Sequence, residues 1–143
     1  MPSKVKKFSL VIPSDDEFLD LIRNFVGKIA ETAGFDDDSV NKIQLSVDEA
    51  CTNVMKHAYK GEKSKDVHIE VELNSKKIVV SVVDKGSGFE YDNIGIDDMG
   101  AYLTEFRKGG LGLHLIKVLM DEVKFSIKPA KKNVIEMTKY ITP

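Results

Sequence analysis

The chain has 143 residues, 42% of them hydrophobic, which is enough for one well-buried core and too few for two ordinary domains. Charged residues make up 31% of it yet cancel to a formal net charge of -2, which argues against nucleic-acid recognition through a broad basic field. No stretch approaches the roughly 20 apolar residues that span a bilayer, no secretory leader is recognisable, and the lone Cys51 can form no internal disulfide. The expectation is a cytoplasmic protein folded as one domain over 1–143, with no direct contact to membrane or nucleic acid. Lysines cluster at Lys4, Lys6 and Lys7 and again at Lys128, Lys131 and Lys132, but no aromatic residues interleave with them, so they read as solvated strand ends.

Val5 to Ile12 alternates and stops at Pro13, which predicts a first strand. Ser14-Asp15-Asp16-Glu17 has the form of a capping box, and Phe18, Leu21, Ile22, Phe25, Val26 and Ile29 then recur at helical spacing until Gly34. The acidic run Asp36-Asp37-Asp38 caps a second helix, placed at about 37 to 59, with a core stripe of Val40, Ile43, Val47, Ala50, Cys51 and Val54. Val67, Ile69, Val71 and Leu73 alternate with His68, Glu70 and Glu72 as a half-buried strand, so His68 points to solvent. A turn at Asn74-Ser75-Lys76 leads to Ile78–Val83, whose near-continuous apolar character predicts a central strand covered on both faces or deeply placed.

Residues 90 to 108 show no period and read as a long functional loop. Leu111 to Met120 reads as a helix, then Val123 to Ile127 and Val134 to Ile141 as strands joined at Pro129-Ala130. The order is β-α-α-β-β-loop-α-β-β. It implies an α+β two-layer sandwich, a mixed, mainly antiparallel sheet with three helices on one face.

Three clusters carry chemistry. Glu49, Asn53 and His57 recur every four residues along one face of the second helix, away from its apolar stripe. The Asn53 amide oxygen is a ligand type suited to Mg2+, and a carboxylate one turn away at Glu49 can take a proton from an attacking hydroxyl. An ordinary solvated helix face accounts for the same spacing, and His57 stays with that reading. Asp84-Lys85-Gly86-Ser87-Gly88-Phe89 follows the most apolar strand, delivering a carboxylate that can accept from an exocyclic amine beside glycines that let a ligand approach the backbone. A tight strand-loop turn explains it equally, with Phe89 as a packing anchor. Gly109-Gly110-Leu111-Gly112-Leu113 enters the third helix, where free amides and the helix dipole favour a phosphate; a loop hinge is the alternative. It has neither a P-loop ending nor a dinucleotide fingerprint. Arg107 and Lys108 stand at the loop edge, within reach of terminal phosphate charge.

Together these clusters resemble the GHKL superfamily, which includes gyrase and histidine-kinase ATP-binding domains. Asp48-Glu49-Ala50-Cys51-Thr52-Asn53, continuing to His57-Ala58-Tyr59, looks like its N box, and Asp84 through Phe89 like its G1 box. Gly110-Leu111-Gly112-Leu113 with Met120-Asp121-Glu122-Val123 looks like the G2 region of the anti-sigma-factor serine kinases. The resemblance implies a GHKL-type fold binding ATP and Mg2+. Asn53 would ligate the metal, Glu49 would be the base, and Asp84 would bind the adenine amine. Gly86 and Gly88 would shape the pocket, residues 90–108 would form the ATP lid, and Gly110, Leu111 and Gly112 would line the phosphates. Either Arg107 or Lys108 would meet the γ-phosphate, and Thr138 would support Asp84 through a water. That branch phosphorylates a serine or threonine of a STAS-type anti-anti-sigma factor, sequesters a sigma factor and is usually a homodimer. Two other functions remain open to the sequence: a nucleotide-gated binding module with little or no catalysis, and a piece of a larger sensor kinase or gyrase-like machine.

Overall fold

Period-two alternation sorts the strand side chains into two faces, and the apolar set meets a layer of helices. A computed structural model of the chain describes residues 4–86, 112–128 and 131–141, with the backbone alone at 112–114 and 127. Strand β1 (Lys6–Pro13) is followed by a 3-10 turn at Asp16–Phe18, helix α1 (Leu19–Thr32), helix α2 (Asp37–Asn53) and a π-helical segment at Val54–Ala58. Strands β2 (Asp66–Leu73) and β3 (Lys77–Asp84) come next, then α3 (Gly112–Leu119), β4 (Glu122–Lys128) and β5 (Lys132–Tyr140). The described strands lie in the order β1-β2-β3-β5-β4. All four pairings are antiparallel, so the sheet expected to be mixed is uniformly antiparallel among the described residues.

The core lies between the sheet and the helices. Val67, Ile69 and Val71 of β2 and Ile78, Val80 and Val82 of β3 are buried there with Ile22, Val26, Ile43, Val47 and Ile116. Each such side chain contributes about 1.5–3 kcal/mol by leaving water. His68 lies on the opposite sheet face, half-buried, with Glu70 and Glu72 beside it. Strand β3 is central, as expected, but its second face carries Val79, Ser81 and Val83 only half-buried.

Local signals fixed some helix ends and misled at one. Asp36 caps α2 by accepting from the Ser39 amide at 2.8 Å, as the acidic run predicts. Ser14, however, caps nothing. Its hydroxyl donates to the Glu62 carbonyl and accepts from the Lys65 amide at 3.2 Å, while Asp15 caps the 3-10 turn through the Glu17 amide. The tertiary tie of β1 to the 62–65 loop has won over the local capping box.

Helix α1 ends in a Schellman arrangement: Phe35 N donates to Ala30 O at 3.2 Å and Gly34 N to Glu31 O at 3.1 Å, with Gly34 at φ +100. A Cβ at Gly34 would meet nothing within 4 Å, so the cost of Gly34→Ala is conformational alone. It is expected to be about 1 kcal/mol, read as a lower urea midpoint at unchanged m-value.

Candidate functional site

The helix expected over 37–59 changes character at its key residue. It is α-helical to Asn53 and π-helical from Val54 to Ala58, with Tyr59 N donating to Val54 O at 2.9 Å. Wide π turns are rare and tend to mark functional positions. Asn53 is buried, and its Nδ2 donates to the backbone carbonyl of Glu49 at 2.9 Å and to Glu49 Oε2 at 3.3 Å. The first bond anchors the Asn53 amide to its own helix, the second orients the Glu49 carboxylate, and Asn53 Oδ1 is left as the side chain's acceptor for a ligand. Asp48 turns the other way, toward α1, where Arg23 Nη2 meets its carboxylate at 3.0 Å.

Asp84 closes β3 and is buried. Its Oδ1 accepts from the Gly86 amide at 2.8 Å and from Asn133 Nδ2 at 2.9 Å, which leaves Oδ2 as the oxygen for a ligand. Burial raises the pKa of Asp84, and the hydrogen bonds from Asn133 and Gly86 pull it back. Gly86 lies against the end of the π segment, where a Cβ would come within 2.4 Å of the Ala58 carbonyl oxygen. Tyr59 braces the same junction: its hydroxyl donates to Asp66 O at 2.7 Å and accepts from the Lys85 amide at 3.0 Å. Beside it opens a cleft of about 460 Å³ that runs from Lys85 and Gly86 along Lys60, Glu62, Lys65, Asp66 and His68, and Glu49, Asn53 and Asp84 are not in its described lining.

Of the residues read from sequence, Glu49 and Asn53 are in contact, and the junction of Ala58 with Gly86 joins their helix to the Asp84 loop. Gly112 is the first residue of α3, which packs along α2. Gly88, Arg107, Lys108, Gly110 and Leu111 lie outside the described residues, as does the segment 90–108 assigned as the lid. His57 is half-buried within the π segment. Cys51 is fully buried, and burial pushes its thiol pKa far up, as a small core residue requires.

Thr138 is corrected. Strand register sets it opposite Val79, whereas Asp84 is opposite Asn133. The two positions are separated by roughly 17 Å along the strand, too far for one bridging water. Asn133 takes the place beside Asp84 and also donates to the Gly86 carbonyl at 2.8 Å. Its signal was a polar residue opening the inward-facing series Asn133, Ile135, Met137.

Asp84 is a buried carboxylate held as an acceptor, and on α2 the Asn53 amide lies beside the Glu49 carboxylate. The family model described as a histidine kinase-like ATPase domain matches residues 12–139. The chain therefore belongs to the histidine kinase-like ATPase family. It is 37% identical over 139 residues to the serine-protein kinase RsbW of Listeria monocytogenes, across 94% of this chain and 87% of that one. Two solved structures share the fold, each at 15% identity. The RsbU and RsbW domains of Rv1364c from Mycobacterium tuberculosis give a TM-score of 0.69 over 96% of this chain and 33% of that one. The SiaB-SiaC complex from Pseudomonas aeruginosa gives 0.65 over 94% and 88%. The activity is that of a protein kinase acting on serine or threonine.

Substituting Gly86 tests the junction. Both atoms that a Cβ would strike first, the Ala58 carbonyl oxygen and carbon, are backbone, so the loop and the π segment must part. Gly86→Ala is expected to weaken ATP binding at least about tenfold, the scale of one lost buried hydrogen bond. Calorimetric titration with Mg-ATP would measure it.

Proposed function

We propose that this kinase transfers the γ-phosphoryl group of Mg-ATP to a serine or threonine of a small STAS-type anti-anti-sigma factor, and holds a sigma factor once that antagonist is phosphorylated. The observation that carries the nucleotide assignment is Asp84, buried with Oδ1 engaged by two N–H donors, which suits its other oxygen to the adenine amine. The donor set near Asn53 fits Mg2+ better than a softer metal. Among the described residues no group of three or more His, Cys, Asp or Glu could hold an ion, and Mg2+ typically takes one or two protein oxygens with phosphates and waters completing its shell. Bound Mg-ATP would supply the phosphoryl group and neutralise its charge.

The chain's own contributions are then distinct. Glu49, oriented by Asn53, takes the proton of the attacking hydroxyl; Asp84 and Gly86 position the adenine base; the first-turn amides of α3, which starts at Gly112, would receive phosphate charge. Gly88, Gly110 and Leu111, with Arg107 or Lys108, complete the pocket on the family pattern.

The kinase acts in the cytoplasm as one domain over 1–143, without direct contact to nucleic acid or membrane. Among the described residues no helix is long and apolar enough to cross a membrane. It works as a homodimer, for which β1 at the edge of the described sheet is the candidate surface.

A pull-down from native lysate with tagged protein, run in Mg-ADP and in Mg-ATP, tests the partners. The expected catch is a sigma factor together with a serine-phosphorylated small antagonist. A different, nucleotide-dependent partner with no phosphoprotein would move the function to a gated binding module.

A further inference from the structure

Asn133 uses both protons of its amide inside the site. One goes to Asp84 Oδ1 at 2.9 Å and the other to the Gly86 carbonyl at 2.8 Å, while its oxygen accepts from the Lys128 amide at 3.1 Å. A flipped amide would set oxygen against two acceptors, so the network admits one orientation. The residue is almost completely buried and faces Asp84 across the β3–β5 ladder.

We propose that Asn133 is a positioning residue that sets base selectivity: it holds Asp84 as an acceptor only, so that a 6-aminopurine is taken and a 6-oxopurine refused. This rests on the reading of Asp84 as partner of the adenine amine. An ionised carboxylate accepts from an amine, whereas a neutral carboxyl can turn an O–H toward a 6-oxo group and lose that distinction. Among the described residues the groups that face Asp84 are the Gly86 amide from its own loop, the Asn133 amide from β5 and the Tyr59 phenol from the end of the π segment. No Lys, Arg or His among the described residues is one of the groups that shift it, and the two neutral N–H donors of Asn133 and Gly86 offset part of the cost of burying its charge. Loss of the Asn133 donor removes one of the two, frees the Gly86 carbonyl and uncouples the site from the β4–β5 turn at Lys128.

The test titrates the full chain with the Mg2+ complexes of ATP, purine riboside triphosphate, which lacks any 6-substituent, and inosine triphosphate. Each is measured at neutral and at mildly acidic pH. Asn133→Ala is expected to weaken ATP at least about tenfold and to leave the unsubstituted purine nearly unchanged. The preference for ATP over inosine triphosphate should shrink, and shrink further in acid, where Asp84 protonates more readily without the donor. In an Asp84→Ala background the same substitution should change that preference no further. Asn133→Asp keeps the acceptor for the Lys128 amide and guards against simple misfolding; it too should erode the preference, because two carboxyls then share a proton. An equal loss for all three nucleotides, or an unchanged preference at both pH values, would overturn the role of Asn133. If the unmodified protein itself fails to distinguish ATP from the unsubstituted purine, the reading of Asp84 fails with it.

Discussion

Glu49→Gln is expected to abolish phosphoryl transfer while leaving nucleotide bound. Glutamine preserves the length of the side chain and can still offer an oxygen to Asn53 Nδ2, which sits 3.3 Å from Glu49 Oε2. The bond from Asn53 to the Glu49 backbone carbonyl, at 2.9 Å, does not involve the side chain and persists. What disappears is the capacity to take a proton from the attacking hydroxyl, an effect on the order of 10²–10⁴ in rate. Radiolabel transfer to a purified antagonist, alongside calorimetric ATP binding, separates the two quantities. Transfer at the unmodified rate would remove Glu49 from the role of base.

Asp84→Asn should do the converse, and for a geometric reason. The Gly86 and Asn133 N–H groups both point at Oδ1, so an asparagine must place its oxygen there and its NH2 where Oδ2 stood. A donor then faces the adenine amine. ATP affinity is expected to fall about 10- to 100-fold, the scale of a buried acceptor lost from a charged partner, and inosine triphosphate should become the better ligand. With the proposed contact, ATP binding by the unmodified protein would require the ionised carboxylate, whose pKa burial has raised. Affinity should therefore decline as pH falls through that raised value, at a higher pH than an exposed aspartate would give, and Asp84→Asn should flatten this limb. Equal ATP binding by both proteins at every pH would exclude the contact.

What was legible in the sequence was what local periodicity can encode. Glu49 and Asn53 are one helical turn apart, and Asp84 ends an apolar strand, so spacing alone placed each on its element. Strand register was not legible. Asp84 and Asn133 pair across 49 positions of sequence, and nothing within either segment fixes which residue of β5 stands opposite the carboxylate. Thr138 is buried as Asn133 is, so burial does not separate these two polar residues of β5, and only register sets Asn133 opposite Asp84. The π segment escaped for another reason: over the five residues Val54–Ala58, the apolar pattern does not separate a wide turn from an ordinary one. Ser14 shows a local signal outcompeted, because its hydroxyl bonds to residues about fifty positions away.

The most direct measurement is a crystal structure of the full chain with Mg2+ and a non-hydrolysable ATP analogue. The predicted result has the exocyclic amine of adenine within hydrogen-bond distance of Asp84 Oδ2 and the metal on Asn53 Oδ1. A base bound elsewhere, with Asp84 touching no part of the nucleotide, would contradict the assignment of the site.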